Sequence, residues 1–207
     1  MYNFDENTLI NDLGKLPRHE RIAFATAAAT RQLGNYEWYA RKFNVGAESR
    51  PREIAMQLWN ALAIDFIDRD TWNSALEEVM SLLPEENDGW VICHALADDA
   101  LSSLAYAIRA LLTEEPQEVA WAARRAYEAV DHAAIRMLGV QPGLPDTEIA
   151  IKLHPLVQRE ITRQRRDIDI LFSKPGKGSI SAVRNYALTE VLLTDEERTL
   201  LWPGRSS

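Results

Sequence analysis

Cysteine is nearly missing from this chain: Cys93 is the only one among 207 residues. A disulfide framework and a multi-cysteine zinc site are therefore excluded. Long apolar runs are missing too; no window approaches the roughly 18 consecutive apolar residues that a membrane-spanning helix needs. The opening Met1-Tyr2-Asn3-Phe4-Asp5-Glu6 is acidic, where a secretory signal is basic and then apolar, so a cytoplasmic chain is expected. Positive charge is in short supply, with 23 Lys and Arg against 31 Asp and Glu and a net charge of −8. Such a balance repels a phosphate backbone and disfavours nucleic acid as a partner. Strand-type alternation is almost absent, and the nine glycines and nine prolines fall mostly between segments.

What is present is helical periodicity. A short helix fits Asp5 to Leu13, and Pro17 suits the first turn of a second, whose stripe Ile22, Ala25, Ala29 and Leu33 stops at Gly34. Asn35 is placed to cap a short aromatic helix, Tyr36 to Phe43, ended by Asn44-Val45-Gly46. Ser49 and Pro51 open a helix carrying Ile54, Leu58, Trp59, Leu62 and Phe66, and Asp70 caps one carrying Trp72, Leu76, Val79, Met80 and Leu83. The longest helix runs from about Trp90 to Thr113, and its partner from about Glu118 to Leu138, closed by Gly139. Small residues (Ala100, Ser103 and Ala107 on one; Ala123, Ala126 and Ala134 on the other) let these two backbones approach closely, and the short link at Pro116 makes them antiparallel. Asp146 caps a short helix that Pro155 interrupts and restarts as far as Phe172. Beyond the loop 173–179, Ile180 to Leu193 reads as one more helix, and Thr194-Asp195-Glu196-Glu197 as a capping box. The expectation is all-α: a single multi-helix domain, 1–172, with a central antiparallel Ala-rich helix pair, and a helical appendage, 173–207.

Several spaced blocks carry a resemblance. They are Asn35-Tyr36-Glu37, Leu58-Trp59, Leu83-Pro84-Glu85-Glu86 with Trp90, Ala95-Leu96-Ala97-Asp98-Asp99-Ala100, Ala120-Trp121-Ala122-Ala123 with Tyr127 to Asp131, and His154-Pro155-Leu156-Val157-Gln158-Arg159-Glu160. Together, over residues 7–172, they resemble the bacterial YjaG-like family, domain of unknown function 416. The resemblance implies a helical fold; it brings no activity, cofactor or catalytic residue with it.

Four residues suggest a metal site. His94 and Asp98 are four apart on the long helix, so they share a face, and Asp131 and His132 sit on its partner. Two imidazoles and two carboxylates from facing helices would suit zinc or a divalent iron-type ion, although paired Glu-x-x-His motifs, the usual supply in helical bundles, are missing. Asp98 and Asp99 point about 100° apart and cannot readily share a proton. Asp99 lies nearer the small-residue stripe, where a buried carboxylate needs a partner, and Arg124 or Arg125 is expected to supply a structural ion pair. Cys93 beside His94, and Ser102 and Ser103, lack the surroundings of an activated nucleophile. The run Pro175-Gly176-Lys177-Gly178-Ser179 departs from a phosphate loop in spacing and follows a helix.

Charge is unevenly distributed. Residues 65–99 hold ten acids against Arg69, whereas 152–184 hold eight bases, Arg159, Arg163, Arg165 and Arg166 among them, against three acids. The first reading is therefore an interaction module without catalysis or cofactor, an acidic neutraliser of immunity or antitoxin type. It would capture a basic protein through Asp65, Asp68, Asp70, Glu77, Glu78, Glu85, Glu86 and Asp88, with Trp72 and Trp90 as apolar anchors. A second copy of the chain is a further candidate partner. The alternatives are a metal-binding protein using His94, Asp98, Asp131 and His132, and a nucleic-acid-associated regulator using the basic segment 159–184.

Overall fold

The computed structural model describes residues 3–64, 67–85 and 91–202, and 80% of these lie in helices. Its centre is α2, Arg18–Phe43, in which every residue from 22 to 36 is buried. A helix that is apolar all round, as Ile22 to Ala29 nearly is, finds cover only inside the fold. The cover comes from α5 (Ile92–Thr113) and α6 (Pro116–Leu138), with α3 (Arg50–Ile64), α8 (Pro155–Ser173) and α9 (Lys177–Thr189) completing the wrap. The short α1 (Glu6–Leu13) packs on α6, α4 (Arg69–Ser81) on α5, α7 (Pro145–Leu153) between α6 and α8, and α10 (Asp195–Leu201) on α6. No strand occurs among the described residues.

α5 and α6 pack against each other. Ser103 Oγ donates to the Ala122 carbonyl at 2.8 Å, and Arg109 meets Glu118 while Asp99 meets Arg125, the inverse order of an antiparallel crossing. The pair shares the centre with α2, because α2 and not α6 is buried on all sides.

Gly34 does not stop α2, which continues to Phe43 and closes on left-handed Asn44. The glycine instead admits a neighbour: a β-carbon there would lie 3.1 Å from Nη1 of Arg198, whose guanidinium is buried and donates to the Leu193 carbonyl. The cap of α4 is Asp68, whose carboxylate accepts from the Asp70 N–H and the Thr71 hydroxyl, so Asp70 falls inside the helix. Pro145 starts α7 one residue before Asp146, with Leu144 as the N-cap. The last long helix ends at Thr189, and the chain then crosses α2 extended, with the Leu192 N–H on the Arg31 carbonyl at 2.8 Å.

The segment after 173 is no appendage in its packing. Val183, Ala187, Leu192, Leu193 and Leu201 are buried in the same core as Ile22 and Leu104. The capping box at Thr194 is present, with Glu197 N–H on Thr194 Oγ1 at 3.2 Å and Thr194 N–H on Glu197 Oε2 at 2.8 Å.

Candidate functional site

The α5–α6 seam collects the chemistry. Asp99 faces α6 with its side chain only 2% exposed, between Arg125 Nη1 at 3.3 Å and His132 Nδ1 at 3.2 Å. Arg125 and His132 are seven apart, two turns on one face of α6, which is why both reach one carboxylate. Burial pushes the Asp99 carboxyl up from the ordinary Asp value, while His132 and Arg125 oppose that. The hydrogen bond to Asp99 pushes His132 above its ordinary value. A carboxylate only accepts, so Nδ1 carries a proton and the orientation of the ring is fixed.

Of the two arginines expected beside Asp99, only Arg125 is there. Arg124 turns the other way, to Glu6 at 3.1 Å and Glu128 at 2.8 Å, because consecutive helix residues diverge by about 100°. The four metal candidates do not gather. His94 folds back so that Nδ1 accepts the Val91 N–H at 3.2 Å, and its ring lies against Tyr39 and Phe43. Asp98 is drawn to Arg125 at 3.8 Å, and Asp131 sits among Glu128, His132, Glu148 and Lys152. The Arg125 guanidinium, 3.3 Å from both Asp99 and Glu128, occupies the place a cation would take. Among the described residues no group of three or more His, Cys, Asp or Glu is placed to hold a metal ion. Cys93 is fully buried and its thiol is pushed up to about 12, so it is core material.

Beside His132 the seam opens into a cavity of about 560 Å³. Val91, Ile92 and Ala95 line one wall, Ile135 and Val140 the other, and among the described residues the charged side chains lining it are His132 and Arg136.

The acidic run is divided. Asp65, Glu86, Asp88 and Trp90 lie outside the described residues. Asp68 is used as a cap, and Glu78 is held by Arg50 through two bonds of 2.7 and 2.8 Å. Asp70, Glu77 and Glu85 are exposed. Trp72 is 5% exposed and belongs to the core, so it is not available as an anchor; Met80, 49% exposed, is the exposed large apolar side chain on α4.

The family model described as protein of unknown function, DUF416, matches residues 8–191. The chain belongs to the DUF416 family. A crystal structure of a DUF416 family protein from Shewanella baltica OS155 superposes with a TM-score of 0.77 at 16% identity, covering 91% of this chain and 94% of that one. At that identity the likeness is one of fold. No curated protein matches this chain.

In this DUF416 chain the matched region extends past 172 through the whole of α9, in keeping with the packing of that helix on α2 and α8. The basic helix α8 is tied down by the same segment. Arg159 is bidentate to Glu197, Arg166 is bidentate to Glu190 and stacks on Tyr186 at 3.9 Å, and Arg163 donates to the Val191 carbonyl. Sequence reasoning missed the charge cluster beneath it: Arg31, with no side-chain exposure, bonds Asp167 at 2.6 Å and lies 3.6 Å from Glu160. Burial alone would lower Arg31, but Glu160 and Asp167 hold it above its ordinary value. The signal was available in the flanking Phe24 to Ala29: an arginine in a helix apolar on every side is buried and must be paired.

Proposed function

We propose that this DUF416 protein is an interaction module that holds a basic protein against the outer face of α4, a neutraliser of immunity or antitoxin type being one concrete form. The observation that carries the reading is where the charges end up. The cations Arg159, Arg163 and Arg166 are engaged by the C-terminal segment, whereas Asp70 and Glu77 face outward with no ion pair among the described residues. Seven residues apart, those two share one face of α4, and Met80 continues the stripe with an exposed apolar side chain. A basic partner fits this face by charge, and Met80 gives it apolar contact in place of Trp72. The same tethering leaves fewer cations of 159–184 for a nucleic acid to meet.

The test is affinity capture from native cells followed by binding kinetics with the purified partner. Asp70→Lys/Glu77→Lys should slow association at least tenfold at low salt and flatten its salt dependence, while Asp146→Lys, an exposed acid on α7, which packs on α6 and α8, leaves both unchanged. Association that is indifferent to the α4 reversal across salt overturns the reading.

A further inference from the structure

The cavity beside His132 does not belong to the α4 face and carries a separate argument. Its walls are aliphatic, from Val91 at the N-cap of α5 with Ile92 and Ala95 on the helix, and from Ile135 on α6 with Val140 just beyond its end, while the charged groups lining it among the described residues are both basic, His132 and Arg136. We propose that it is a binding site for a small amphipathic monocarboxylate, whose aliphatic body fills the groove and whose carboxylate meets the imidazolium of His132 and the guanidinium of Arg136.

Three features favour an anion over a neutral or cationic ligand. Asp99 engages His132 through Nδ1, so Nε2, the other ring nitrogen, is left for a ligand, and the His132 side chain is 43% exposed. Asp98, Asp99 and Glu128 do not line the groove, and all three gather around the one guanidinium of Arg125, 3.3 Å from Asp99 and Glu128 and 3.8 Å from Asp98. Asp131, next to His132 on α6, does not line the cavity and has Lys152 among its neighbouring charges. Arg136 is bonded only weakly on its other side, to the Leu201 carbonyl at 3.5 Å, so its fork can turn to a ligand. A volume of about 560 Å³ lies within the range of small-molecule sites, which are mostly apolar with a few convergent polar groups. The groups facing His132 are Asp98 and Asp99 from α5 and Arg125, Glu128 and Asp131 from α6; binding should weaken as pH rises and the imidazolium loses its charge against them.

The full chain would be titrated with sodium octanoate, with octan-1-ol and octylamine as chain-matched probes, by calorimetry and by amide and histidine-ring NMR. Saturable one-site binding of octanoate is expected, with shifts at Ala95, His132 and Val140, and affinity at least tenfold weaker for both other probes. Arg136→Ala, at an exposed position, should weaken octanoate at least tenfold, and Ala95→Trp should fill the groove and abolish binding. Circular dichroism on both variants separates loss of binding from loss of fold; should Ala95→Trp unfold, Arg136→Ala and the probe comparison decide. No saturation by octanoate, equal binding of octan-1-ol, preferred binding of octylamine, or octanoate binding unchanged in folded Arg136→Ala overturns the proposal. None of these outcomes involves the α4 face, so the two readings fail independently.

Discussion

A fully buried cation anchors the interior. Arg31 stands between two carboxylates that water does not reach, Asp167 and Glu160, so removing it leaves Asp167 to Arg166 and Glu160 to the neutral Gln164 amide. Arg31→Met should cost about 3–5 kcal/mol, the range for breaking a buried pair from one side. Urea unfolding measures this, and adding Glu160→Gln and Asp167→Asn should recover much of the loss. His132 gives a residue-scale pH signature. Its folded pKa is raised above the ordinary 6.5, so its contribution to stability is complete below about 6.5 and is lost as pH rises through the folded value. The raised Asp99 acts with the same sign from 3.8 upward, whereas His94 and His154, lowered by burial, act oppositely and lose their contribution as pH falls. Comparison with His132→Gln isolates the one group: the stability difference between wild type and variant should shrink as pH rises above about 6.5 and through the folded value. A difference that grows with pH would reverse the assigned shift.

At the scale of elements, the C-terminal strap of α9, the extended 190–194 and α10 holds α2 and α8 together. Glu197 serves both the Thr194 cap and the Arg159 fork, while Thr194 contributes only to the cap. Thr194→Ala should therefore cost about 1 kcal/mol, and Glu197→Ala more, though the partial exposure of the ion pair discounts its electrostatic part. Denaturant midpoints order the two, and equal midpoints would separate Glu197 from α8. Ending the chain after Ser173 should yield a species with helical far-ultraviolet dichroism and strong dye binding, because Val183, Leu192, Leu193 and Leu201 no longer cover the core.

For the whole molecule, ten helices and no strand among the described residues set the spectroscopic expectation. Far-ultraviolet circular dichroism should report helix far above the globular average of about one-third. A strand-dominated spectrum would contradict the fold. The net charge of −8 is expressed outward because so many of the arginines are engaged inward or along seams.

Most of the secondary structure was legible in the pattern of Ala, Leu and Ile spacing and in local punctuation such as Pro116, Gly139 and the Thr194 box, since these act within one helical turn. So was an arginine partner on α6 for Asp99, since the small-residue stripe already marked which face of α5 was buried, but the choice of Arg125 over Arg124 came from packing. Gly34 misled because its reason lies across the fold, in the Arg198 guanidinium 164 positions later. Trp72 misled because an amphipathic stripe does not say which aromatic stays wet. The metal reading failed on side-chain direction: four residues at suitable spacings point to three different neighbourhoods once Arg125 enters the seam. Local periodicity was enough to make this chain helical, but the partner of each charge was chosen by packing, because desolvation penalises any buried ion whose counter-ion does not arrive with it.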